Sequence, residues 1–126
     1  MKYEGKNIGI LGLGKSGYWS AKLAKSLNNN VFVSDSNENI NQIFIDDLKM
    51  LGVELEIGVH SNQILKSDII IKSPGIPNNS KILRKINAER IPVISEIEFA
   101  GNLSKSKNIC ITAVSYTHLT LPTSLI

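Results

Sequence analysis

A single cysteine, Cys110, rules out an internal disulfide, and its place within the apolar run 108–112 reads as a buried reduced thiol rather than a nucleophile. Aromatic residues are only 6% of the chain, and no block of like charge accompanies them. The formal net charge of +3 comes from scattered lysines, which gives no basic stripe for nucleic acid. No apolar run approaches the roughly eighteen residues needed to cross a bilayer. The first residues carry Lys2, Glu4 and Lys6 and lack the form of a signal peptide. A cytoplasmic protein without a membrane or nucleic-acid partner is therefore expected. Low-complexity tracts are missing too, and 42% hydrophobic with 20% charged residues in 126 suits one compact domain.

What is present is organised around Asn7 to Gly17, a short apolar run that ends in Gly12-Leu13-Gly14-Lys15-Ser16-Gly17. A strand feeding a G-x-G-x-x-G turn and a helix aims backbone amides and a positive helix end at an anion, the chemistry of a pyrophosphate cradle. The strand reads as 7–11 and the helix as 18–27, with Ala21, Ala24 and Leu27 on its inner face. Asn28-Asn29-Asn30 breaks that helix before a second strand, 31–34.

That strand ends at Asp35-Ser36, the distance at which an acid accepts hydrogen bonds from a ribose in dinucleotide folds; Asp35 would equally serve as a turn or helix cap. The spacing of Ile40, Ile43, Phe44, Leu48 and Leu51 predicts a helix over 39–51, stopped by Gly52. Residues 53–57 alternate apolar side chains with Glu54 and Glu56, as a strand near a sheet edge would. A helical turn over 61–66 and a buried strand over 68–71 follow.

The loop Lys72-Ser73-Pro74-Gly75-Ile76-Pro77 then stands at the strand edge where open α/β sheets bind ligands, although a merely rigid loop has the same composition. Ser80 reads as the N-cap of a helix through Glu89, and 92–94 as a fifth strand. Ser95 and Glu98 form a capping box that opens a helix to about Leu103, which accounts for both Glu96 and Glu98 without a ligand. A sixth strand is expected at 108–112. This alternation implies a Rossmann-like, doubly wound parallel sheet of about five strands flanked by helices.

From Ala113 to Ile126 charge and helical period vanish together. This tail reads as non-native, a translation of adaptor-like DNA joined to a truncated coding sequence, so Tyr116 and His118 are assigned no role.

The set formed by GLGKSG, Asp35-Ser36, the KSPGI loop and SEIE resembles the N-terminal domain of the Mur ligases, most closely the members that add D-glutamate to UDP-N-acetylmuramoyl-L-alanine in peptidoglycan biosynthesis. The resemblance spans residues 1 to about 112. It implies a UDP-sugar-binding domain over 1–105, the first strand of a central ATPase domain over 106–112, and a tail over 113–126. It also implies that Gly14, Lys15, Ser16 and Gly17 contact the diphosphate, that Asp35 and Ser36 approach the uridine, and that Ser73 and Gly75 line the opposite wall. Lys15 would add a charge contact or remain solvated. Because Ala113-Val114-Ser115 stands where the family has its P-loop, this chain is expected to be an inactive, monomeric fragment without catalytic residues, metal or cofactor, ATP and Mg²⁺ belonging to the full-length parent. An NAD(P)-binding regulatory module, which shares the glycine fingerprint and the acid, is the competing reading.

Overall fold

The structure is a computed structural model that describes residues 3–104. The expected sixth strand, Cys110 and the segment 113–126 lie outside the described residues.

Five strands form one sheet: β1 (Asn7–Leu11), β2 (Asn30–Asp35), β3 (Glu54–Ile57), β4 (Ile69–Lys72) and β5 (Val93–Ser95). Their order is β3-β2-β1-β4-β5 and every pairing is parallel. The chain thus moves outward from β1 to β3, returns across the sheet to β4, and finishes at β5. Between β1 and β4 the strand order reverses, so the crossovers leave in opposite directions and open a crevice at the carboxyl ends of these two strands.

The helices are α1 (Lys15–Ser26), α2 (Gln42–Met50), α3 (Lys81–Ala88) and α4 (Glu96–Ser104), with a 3-10 turn at Asn62–Lys66. They cover both faces. Ile8, Ile10, Val31 and Val33 point to one side, where Ala21, Ala24, Leu48, Phe99 and Leu103 complete a core. Leu11 and Ile70 point to the other, against Ile64, Ile82, Leu83 and Ile86. This double burial explains why β1 and β4 read as continuous apolar runs, whereas β3, an edge strand, alternates with glutamates.

Two boundaries differ from expectation for local reasons. Helix α1 begins at Lys15, three residues before Tyr18, because Gly14 is the N-cap and the Tyr18 amide already donates to its carbonyl at 2.9 Å. Helix α2 begins at Gln42 because Asn41 caps it, its side chain accepting from the Ile43 amide at 2.9 Å. Behind α1, Asn28 takes φ +65°, and the buried Asn29 bonds the Lys6 amide (3.0 Å) and the carbonyls of Tyr3 and Ala24 (2.8 Å each). A residue read only as a helix breaker therefore ties the first segment of the chain to the core.

Candidate functional site

Three strand ends converge on the crevice. After β1, Gly12 turns the chain at φ +101°, and a Cβ added there would stand 2.7 Å from the Ser73 Cβ. The first glycine is thus required twice, by its left-handed backbone and by the close approach of the β4 loop. Gly14 is different: its backbone is extended (φ −86°, ψ −165°), and a Cβ added there meets nothing within 4 Å. Gly17 differs again, since its added Cβ would lie 2.1 Å from the Gly12 carbonyl oxygen. It lets the first turn of α1 sit against the glycine loop.

Asp35, at the end of β2, holds that loop. Its Oδ2 accepts the Leu13 amide at 2.7 Å and its Oδ1 the Asn37 amide at 2.8 Å. The expected turn-capping role is real, and the bond to Leu13 adds a loop-positioning role that sequence spacing did not reveal. An ionised carboxylate keeps further lone pairs for a ligand.

On the opposite wall the Lys72 ammonium donates to the carbonyls of Ser73 (3.0 Å) and Ile76 (2.7 Å), and the Gly75 amide donates to Ser73 Oγ at 3.4 Å. The loop is rigid through a buttressing cation as well as through its prolines. Ser80 precedes α3 with extended backbone, but its side chain makes no cap bond; its Oγ is buried without a hydrogen-bond partner among the described residues. A buried hydroxyl left without a partner is uncommon in a folded protein, and this one stands beside the cleft.

The cleft between these walls has a volume of about 320 Å³ and is lined by Gly12, Leu13 and Gly14 on one side, Asp35, Ser36 and His60 at one end, and Ser73, Gly75 and Ser80 opposite. Of the residues singled out from sequence, Gly14, Asp35, Ser36, Ser73 and Gly75 line it. Lys15 and Ser16 are exposed at the start of α1 outside this lining, and Gly17 is buried beneath it. A larger, more open depression of about 540 Å³ runs along the outer edge of β3, past Lys49, Glu54 and Gln63. It touches neither the glycine loop nor the β1–β4 crevice.

Two further side chains, one against the start of α1 and one in the cleft lining, come from positions that sequence spacing passed over. Glu96, expected only to help open α4, reaches back to α1: its Oε1 accepts the Ser16 hydroxyl at 2.5 Å while its Oε2 is buried without a hydrogen-bond partner among the described residues. Burial raises its carboxyl above the ordinary value, against the lowering effects of the Ser16 bond and the Lys72 charge. Half of the expected capping box is present: the Glu98 amide donates to Ser95 Oγ at 2.9 Å, but no return bond from the Ser95 amide to the Glu98 carboxylate stands among the described residues, and Glu96 takes a role of its own at α1.

His60 follows β3. Its Nδ1 lies 2.7 Å from the buried Ser34 Oγ, which donates to Glu56 Oε2 at 2.8 Å. The same Glu56 oxygen accepts the Ser61 amide at 2.8 Å. Burial works to raise the Glu56 carboxyl, but the Ser61 and Ser34 bonds and the nearby imidazole outweigh it and hold the group below its ordinary value. The one available signal for His60 was its place two residues beyond Gly58, at the carboxyl edge of the sheet.

The family model for the Mur ligase MurD-like N-terminal domain matches residues 6–95. Among curated relatives, the UDP-N-acetylmuramoylalanine–D-glutamate ligase of Bacteroides thetaiotaomicron is 46% identical over 108 residues, covering 85% of this chain and 24% of its own. That of Cytophaga hutchinsonii is 47% identical over 96 residues, covering 75% and 21%. This chain therefore spans about a quarter of the length of those relatives. In architecture it is similar to the UDP-N-acetylmuramate–alanine ligase MurC of Thermotoga maritima, with a TM-score of 0.69 at 23% identity over 81% of this chain and 24% of that one. With a match across more than half its length, the chain belongs to the MurD-like family of Mur ligases, whose N-terminal domain it carries.

Proposed function

We propose that the cleft binds the UDP moiety of UDP-N-acetylmuramoyl-L-alanine, and that the chain is the substrate-binding portion of a ligase that joins D-glutamate to it in peptidoglycan biosynthesis. The observation that carries this reading is the conjunction, at the β1–β4 crevice, of the uncovered α1 N-terminus at Gly14 with the orphaned Ser80 hydroxyl across the cleft, in a chain of the MurD-like family. Free amides and the helix dipole at Gly14, Lys15 and Ser16 favour the diphosphate. Gly17 supports their approach from below; Asp35 and Ser36 face the uridine, and Ser73 and Gly75 flank the sugar-phosphate. ATP and Mg²⁺ serve the whole ligase, and the 126-residue chain alone is proposed to bind substrate as a cytoplasmic monomer without turning it over.

Thermal denaturation of the 126-residue chain with and without ligand tests this. UDP and UDP-N-acetylmuramoyl-L-alanine are expected to raise the melting temperature and NADH to leave it unchanged. Protection by NADH alone would replace the reading with a nicotinamide-nucleotide module.

A further inference from the structure

His60 lies outside the glycine fingerprint, yet it lines the same cleft as Asp35 and Ser36 and its Nδ1 is anchored. The protonation of that anchor follows from counting. Ser34 has one hydroxyl proton and three neighbours: Glu56 Oε2 at 2.8 Å, His60 Nδ1 at 2.7 Å and the Val59 carbonyl at 3.3 Å. An ionised carboxylate only accepts, so the 2.8 Å contact takes the Ser34 proton, and a bare Nδ1 would then oppose a lone pair at 2.7 Å. Nδ1 must therefore be the donor. In the neutral ring this leaves the proton on Nδ1 and the lone pair on Nε2, which has no hydrogen-bond partner among the described residues.

We infer that the Glu56–Ser34–His60 chain fixes His60 in its Nδ1–H form so that Nε2 accepts a hydrogen bond from the nucleoside part of the ligand, making His60 a specificity-determining residue of this cleft. The inference rests on the nucleoside-diphosphate reading and deepens it. A nucleoside supplies the required donor chemistry in two places, a ribose hydroxyl or the pyrimidine imide N–H, whereas a fully ionised diphosphate supplies none. His60 thus acts at the nucleoside end and the α1 N-terminus at the anionic end.

Three measurements on the 126-residue chain test it. Long-range ¹H–¹⁵N spectra of the imidazoles, with His60 assigned by its loss in His60→Asn, are expected to report the Nδ1–H tautomer at neutral pH; an Nε2–H tautomer would overturn the inference. Asparagine places its amide where Nδ1 stands and keeps the bond to Ser34, while glutamine reaches the position of Nε2. His60→Asn is therefore expected to fold normally and to bind uridine and UDP roughly five- to tenfold more weakly, the scale of one net hydrogen bond, with pyrophosphate binding unchanged. His60→Gln is expected to recover part of that loss.

In the unaltered chain, a matching loss with 2′-deoxyuridine or 3′-deoxyuridine assigns the donor to the ribose, and one with 3-methyluridine to the base. If all three analogues bind as uridine does, His60 has no nucleoside partner and the inference falls. Parent-like uridine binding by His60→Asn, with UDP still held, would overturn the His60 role alone; absence of UDP binding in the unaltered chain would remove the parent reading and this one with it.

Discussion

Gly14 and Gly17 belong to one fingerprint, but substitution is expected to act on them in opposite ways. At Gly14 the backbone is extended and a Cβ would enter open space. Threonine is about as good an N-cap as glycine and is β-branched, so Gly14→Thr should change stability by no more than about 0.5 kcal/mol. The open space is the approach to the first amides of α1, and the new side chain stands in the path of an anion. UDP affinity is expected to fall at least tenfold, about 1.4 kcal/mol.

At Gly17 the new Cβ would lie 2.1 Å from the Gly12 carbonyl oxygen. Contact distances of about 3.5 Å require the glycine loop and α1 to part by an ångström or more. Overpacking costs about 1–3 kcal/mol, while alanine returns at most about 1 kcal/mol of helix propensity. A net loss of about 1–2 kcal/mol remains, and the melting temperature should drop by roughly 4–8 °C per kcal/mol. Circular dichroism melts and isothermal titration with UDP read both effects. Parent-like UDP affinity in Gly14→Thr, or a parent-like melting temperature in Gly17→Ala, would refute the division of roles.

Other expectations follow from single side chains. Asn29→Ala removes three hydrogen bonds, two buried ones to the carbonyls of Tyr3 and Ala24 and a part-buried one to the Lys6 amide, and urea denaturation should show a loss of about 2–4 kcal/mol. Asp35→Ala frees the Leu13 amide, so pyrophosphate binding should weaken even though a negative charge has been removed; stronger pyrophosphate binding would mean that Asp35 does not position the loop. Glu96 has a raised folded-state pKa, so its contribution to stability is full below about pH 4.5 and is lost as pH rises through the folded value. Glu96→Gln should flatten that part of the stability–pH curve and, above the folded-state pKa of Glu96, strengthen pyrophosphate binding, because a carboxylate beside Ser16 opposes an incoming anion.

Most of the architecture was legible before any coordinates. Buried strands, alternating β3 and the glycine turn each follow from hydrophobic period and backbone chemistry, which are local properties. Boundaries moved where a cap decided them: Gly14 and Asn41 set helix starts that apolar spacing placed three residues late for α1 and three residues early for α2. Ser80 kept its position but not its bond, because a cap is a matter of side-chain orientation as well as sequence.

The sequence by itself determined a parallel doubly wound sheet, a glycine-rich turn after its first strand and an acid after its second, since each depends on residues adjacent in the chain. Tertiary structure decided which of those residues meet across the cleft. Glu96 reaches Ser16 across 80 positions and His60 reaches Ser34 across 26, contacts fixed by strand order and register rather than by any periodicity. It also separated three glycines that look alike in a motif: Gly12 turns the chain, Gly17 admits the helix, and Gly14 faces open space.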